Sequence, residues 1–167
     1  MSWRALGWTS NFDLKFDSIG AIIRRMQPRV VVDPNVFISA LLSASGFNRQ
    51  VLRACLCGQA LPLMGAALFH EYEELLGRKP LMERCPLTPK ERRLFFASFL
   101  SVAEWVKVYY LWRPNLPDEG DNHLIELAVA GSAVAIVTNN ISDLTAGELR
   151  FPKLRILTPR QFLSNIP

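Results

Sequence analysis

Three β-branched residues in a row, Val30, Val31 and Val32, stop abruptly at Asp33. The chain then continues through Pro34 and Asn35 into an apolar pattern of helical period that reaches Leu42. This is the pattern of a short buried strand that hands over at once to a helix, with a carboxylate at the junction. In an open α/β sheet, the carboxyl edge of the strands is where ligands bind. A carboxylate placed there is costly unless something positive joins it, and a divalent cation is one candidate.

The same alternation runs through the rest of the chain. A helical region from Val36 to about Leu56 is predicted to break near Ser43–Phe47, where small residues cluster. Leu61–Met64 reads as strand two, and Ala66–Leu76 as a helix ending at Gly77. Pro80–Pro86 reads as a turn or a single helical turn. Thr88, Pro89 and Glu91 form a capping-box signature for a helix to about Val102, basic on one side and carrying Phe95, Phe96 and Phe99 on the other. That aromatic stripe serves either the core or a dimer contact. Trp105–Tyr110 alternates as strand three, Arg113–Pro117 is a loop, and Asp118–Ala130 is a helix ended by Gly131. Ala133–Val137 is a buried strand four, Thr138–Gly147 is polar, Leu154–Leu157 is strand five and Pro159–Leu163 a last short helix. Strands alternating with helices imply a mostly parallel five-stranded twisted sheet covered on both faces, a three-layer α/β/α fold.

The bulk numbers bound the function. A chain of 167 residues can bury one real core. A net charge of +4 suits an anionic partner such as nucleic acid but does not require one. Cys55, Cys57 and Cys85 match neither a zinc cluster nor a disulfide framework, and read as small buried hydrophobes in a reducing cytoplasm. No apolar run is long enough to span a bilayer. Residues 1–28 lack a clear period and read as a loosely packed N-terminal extension to a domain over 29–167, with a short helix over Asp17–Gln27. They contain no signal-peptide apolar region.

Parallel strands bring separated residues to one edge. Asp33 ends strand one, Glu71 lies on the helix after strand two, and Asp118 and Asp121 open the helix after strand three. Asn140 and Asp143 follow strand four. Taken singly, each suits an ordinary structural role. Asp33 and Asp118 suit helix caps, Asp121 suits a helix dipole, and Glu71 suits a solvated helix face beside Glu73 and Glu74. Their joint placement after successive strands favours a shared site. His70 and His123 have no ligand spacing, and His123, two residues past Asp121, is expected to point away from it on a helix.

Four segments together resemble the PIN-domain nucleases, in the bacterial branch grouped with toxins of toxin–antitoxin pairs. They are VVVDPNVFISALL, FHEYEELLGRKPL, LPDEGDNHLIELAVAGSAVAIVTNNISDL and LRFPKLRILTPRQFL, and they cover about residues 29 to 164. The resemblance implies metal-dependent hydrolysis of single-stranded RNA in the cytoplasm, with Mg2+ or Mn2+ as cofactor. It implies an antitoxin protein as partner, a possible homodimer, and no membrane association. It implies catalytic roles for Asp33, Glu71 and Asp121, and metal-holding roles for these with Asp118 and Asp143. Asn35, Thr138 and Asn140 would support the site. Arg78, Lys79, Lys90, Arg92, Arg93 and Arg113 are candidates for gripping the RNA backbone.

Two positions depart from the family pattern. Pro34 stands where Thr or Ser is common, removing a hydroxyl and a backbone donor. Asn140 stands where a carboxylate is common, which weakens metal affinity. A catalytically degenerate PIN domain that binds RNA or protein is therefore the alternative. A haloacid-dehalogenase-like phosphatase also places an aspartate after strand one, but that family wants a second aspartate where this chain has Asn35.

Overall fold

The computed structural model describes residues 27–111, 116, 119–147, 149 and 151–166. The short helix expected over Asp17–Gln27 lies almost wholly outside them. So do Asp118, Arg113 and most of the loop expected over Arg113–Pro117.

Strand β1 (Arg29–Val32) leads into helix α1 (Pro34–Leu42), and α2 (Phe47–Leu56) follows after the expected break. Then come β2 (Leu61–Met64), α3 (Ala66–Gly77), the single turn α4 (Lys79–Met82) and α5 (Pro89–Val102). Strand β3 (Glu104–Trp105) follows, and a 3-10 turn (Glu119–Asp121) precedes α6 (Asn122–Ala130). The chain ends with β4 (Ala135–Val137), α7 (Ile141–Thr145), β5 (Arg155–Leu157) and α8 (Pro159–Leu163). The capping box at Thr88 and Glu91 is present in full.

All strand pairs are parallel, in the order β3-β2-β1-β4-β5. The chain works outward from β1 to β3, then crosses back to β4 and continues to β5. That reversal places a topological switch point between β1 and β4, the position where open α/β sheets bind ligands. Because crossovers are right-handed, the reversal also carries α6 to the face opposite α1–α5, giving the three layers. Helix α6 packs on β1, β2 and β4, while α5 packs on β2 and α8 on β4 and β5. Gly131, which ends α6, makes this packing close: an added Cβ would stand 2.3 Å from Leu63 Cδ1.

The core takes up the aromatic stripe. Phe37 of α1 sits 4.9 Å from Tyr72 and within 5.4–5.8 Å of Phe95, Phe96 and Phe99, measured between ring centroids. The stripe on α5 therefore packs inward. Two expectations need correction, and one stretch gains an element. Strand three stops at Trp105, because β2 ends at Met64 and its carbonyl takes the Val106 N–H; among the described residues, no strand neighbours the chain beyond. The helix expected from Asp118 begins as a regular α-helix only at Asn122. The polar stretch Thr138–Gly147 contains a short helix, α7. Of the cysteines, all free, only Cys55 is fully buried, and its thiol is pushed up to about 12 by that burial.

Candidate active site

Asp33 emerges where β1 and β4 meet. Its backbone N–H donates to Val137 O at 3.0 Å, extending the ladder by one residue, and its side chain caps α1. The cap bond runs from the Asn35 backbone N–H to Asp33 Oδ1 at 2.9 Å. Oδ2 accepts from Asn35 Nδ2 at 2.9 Å and from the Thr138 hydroxyl at 2.7 Å. Pro34 occupies the first helical position, where a missing N–H has no partner to lose, so it does not disturb the cap. One carboxylate thus serves both as helix cap and as a residue of the candidate site.

Thr138 carries the network onward. The Asn140 backbone N–H donates to the Thr138 hydroxyl at 2.9 Å, and Asn140 Nδ2 donates to Asp143 Oδ2. Ser142 donates to Asp143 Oδ1 at 3.1 Å. Asn139, not singled out from sequence, places both its backbone and side-chain nitrogens 3.3 Å from Asn35 Oδ1. Asp33, Asn35, Thr138, Asn140 and Asp143 therefore form one connected polar chain from the buried switch point to the surface.

Across from this chain, an open cleft of about 880 Å3 is lined by Glu71, Glu74, Arg78, Asp121 and His123, among others. His123 corrects the expectation. It is buried, with its Nε2 2.9 Å from Glu71 Oε2 and its Nδ1 2.6 Å from Gly120 O. The helical spacing argument fails because Asp121 lies in the 3-10 turn, before the α-helix begins. Burial alone would disfavour the imidazolium, but Glu71, the Gly120 carbonyl and the Asp121 charge outweigh it and raise the His123 pKa. The sequence held no spacing signal for this pair, since 52 positions separate Glu71 from His123. His70 is exposed.

Burial raises the Asp33 pKa, the Thr138 and Asn35 bonds lower it, and the neighbouring Glu71 charge raises it again; the net shift is upward. The two carboxylates thus feel one another, with His123 partly offsetting the repulsion. Glu71 Oε2 is buried and has no well-directed hydrogen bond, the His123 contact being close but misaligned. A buried carboxylate strained by its own charge, coupled to a second with an unsatisfied oxygen, suits a hard divalent cation. Among the described residues no three His, Cys, Asp or Glu side chains are grouped to hold one ion. Magnesium, however, is commonly held by one or two carboxylates with water completing its shell. Asp33 and Glu71 fit that arrangement, and Asp121 lines the same cleft as Glu71.

The expected cations divide. Arg78 lines the cleft and pairs with Glu74 at 2.5 Å. Lys79, Lys90 and Arg93 are exposed. Arg92 instead turns its guanidinium inward, donating to Leu87 O at 2.9 Å and Met82 O at 3.3 Å, so it is a tie between α4 and α5.

A model of the PIN domain matches residues 29–142. The chain is also similar in fold to a solved structure described as VapBC2 from Rickettsia felis bound to a DNA fragment from their promoter. That similarity has a TM-score of 0.54 at 15% identity, and covers 78% of this chain and 98% of that one. No curated protein matches. Among the described residues, no helix is long and apolar enough to cross a membrane. The family match spans more than half of the chain and begins on the strand that delivers Asp33, so the chain belongs to the PIN-domain family.

Proposed function

We propose that the chain is a metal-dependent endoribonuclease that hydrolyses phosphodiesters in single-stranded RNA, as the toxin of a toxin–antitoxin pair. The observation that carries this reading is the buried Asp33 carboxylate at the switch point, coupled to Glu71 at the edge of an open acidic cleft. Bound magnesium or manganese would lower the pKa of a water and neutralise charge on the scissile phosphate. Asp33 and Glu71 would hold it, with Asp121 contributing from the cleft wall and Asp118 as a supporting carboxylate. Asn35 and Thr138 fix the Asp33 carboxylate by three hydrogen bonds, so it keeps its orientation without metal. His123 stands 2.9 Å from Glu71, and both line the cleft. Asp143 and Asn140 would orient a water at the outer end of the polar chain. Arg78 is the cation best placed to meet a phosphate. An antitoxin protein and a second copy of the chain are the expected partners.

A second reading, a degenerate domain that binds without cutting, is favoured by one observation: Glu71 already has His123 as a counter-charge. Incubating the purified protein with mixed single-stranded RNA and Mn2+ separates the two. The nuclease reading expects cleavage that falls about a hundredfold or more in Asp33→Asn. Equal cleavage by the variant, or none by the wild type, refutes it.

A further inference from the structure

Beside the acidic cleft lies a second cavity of about 490 Å3, mostly apolar, between the start of α3, the chain after β3 and helix α6. Ala67 and His123 line both spaces, so the two openings share a wall. Its floor is Gly65 and Leu127, with Glu126 adding a carboxylate, and its rim carries Trp105 and Lys107. Gly65 keeps the floor open, since an added Cβ would stand 3.1 Å from Leu127 Cδ1.

The rim is unlike an ordinary protein surface. Trp105 is 55% exposed although its ring rests 5.5 Å from Phe69. Outside the cavity's lining but next along the chain, Tyr109 and Tyr110 are exposed by 74% and 78%, and the Lys107 ammonium stands 5.1 Å from the Tyr109 ring centroid. Exposed rings interleaved with a cation are how proteins hold unpaired nucleotides: the rings stack on bases and the cation meets the backbone.

We infer that this cavity is a subsite for one unpaired nucleobase of an RNA strand whose phosphate lies at Asp33 and Glu71. The inference rests on the nuclease reading and adds to it the place where sequence preference arises. Trp105 offers a stacking face at the mouth, and Lys107 meets the adjoining phosphate. The shared Ala67–His123 wall sets the base one short step from the acidic cleft. A protein side chain could enter an apolar cavity too, but the exposed cation and its continuity with the acidic cleft favour a polyanion with flat bases.

Two exposed positions test this without touching the carboxylates. Trp105→Ala removes the stacking face, and Ala66→Trp fills the cavity from an exposed helix position that does not line the acidic cleft. The full-length variants are compared with wild type in two assays. In the first, a 12-nucleotide single-stranded RNA carrying one 2-aminopurine is titrated in chelator, where no cutting occurs. In the second, mixed RNA is cut with Mn2+ and the nucleotides flanking each cut are counted. The expected results are quenching of 2-aminopurine by wild type and affinity about tenfold or more weaker in both variants. The flanking-base preference should also change in both. If wild type cuts RNA and both variants bind and cut with unchanged affinity and preference, the subsite is refuted while the nuclease reading stands. That result would point to a protein occupant. If wild type neither binds nor cuts, both readings fall.

Discussion

At the scale of single residues, the site is a negotiation between charges. Burial works against the His123 imidazolium, but Glu71, the Gly120 carbonyl and Asp121 outweigh it and raise the His123 pKa. A histidine whose folded pKa is raised stabilises the protein fully below its unfolded pKa of 6.5, and that contribution is lost as pH rises through the higher folded value. The metal-free wild type should therefore melt at lower temperature as pH rises from about 6 to about 8, and His123→Gln should show a flatter profile over that range. Parallel profiles would mean that the pair contributes no linked stability. Asn140 makes a second test. It donates to Asp143, so Asn140→Asp would set two carboxylates together where a donor now meets an acceptor. The metal-free variant should melt lower than wild type, and millimolar Mn2+ should restore it. Failure of the metal to restore it would place Asn140 and Asp143 away from the ion. Asp33 was legible because a run of valines that ends on an acid and a proline marks a strand, its edge and a helix start within a few residues. His123 was not, because its partner lies on another helix and no local spacing announces a contact made by tertiary packing.

At the scale of elements, the strand-to-helix junction depends on what lies beneath it. The Tyr72 hydroxyl donates to Val32 O at 2.8 Å, at no exposure, tying α3 to the end of β1 directly below Asp33. Its burial raises the phenol pKa well above 10, so it remains a donor. Tyr72→Phe leaves that carbonyl unsatisfied and should cost about 1–3 kcal/mol in chemical denaturation. A cost near zero would mean that water replaces the hydroxyl. The helices with caps were readable from sequence, since Thr88 with Glu91, and Pro34 after Asp33, satisfy the first turn by local chemistry. Strand three was over-read for the opposite reason. Trp105–Tyr110 has the alternation of a strand, but strand length is set by the neighbour, and β2 turns away into α3 after Met64. Trp105, the last residue of that strand, lines the cavity of the proposed base subsite.

At the scale of the whole molecule, five parallel strands and one reversal of direction bring Glu71, Asp121 and His123, far apart in sequence, to one cleft. Topology of this kind was legible, because alternating strands and helices admit few arrangements. The distances between carboxylates were not, because side-chain direction depends on packing that no single segment encodes. The proposed chemistry depends on Asp33 and Glu71 jointly binding a divalent cation. Titrating Mn2+ against the melting temperatures of wild type and Asp33→Asn, each at the same protein concentration, tests that binding directly. A cation that binds only the folded chain stabilises it by about 2.7 kcal/mol at a hundred times its dissociation constant. The wild-type melting temperature should rise with the logarithm of Mn2+ concentration once the dissociation constant is passed, while that of Asp33→Asn stays nearly flat. Equal rises in both proteins, or no rise in the wild type at millimolar Mn2+, would mean that the two carboxylates hold no cation between them.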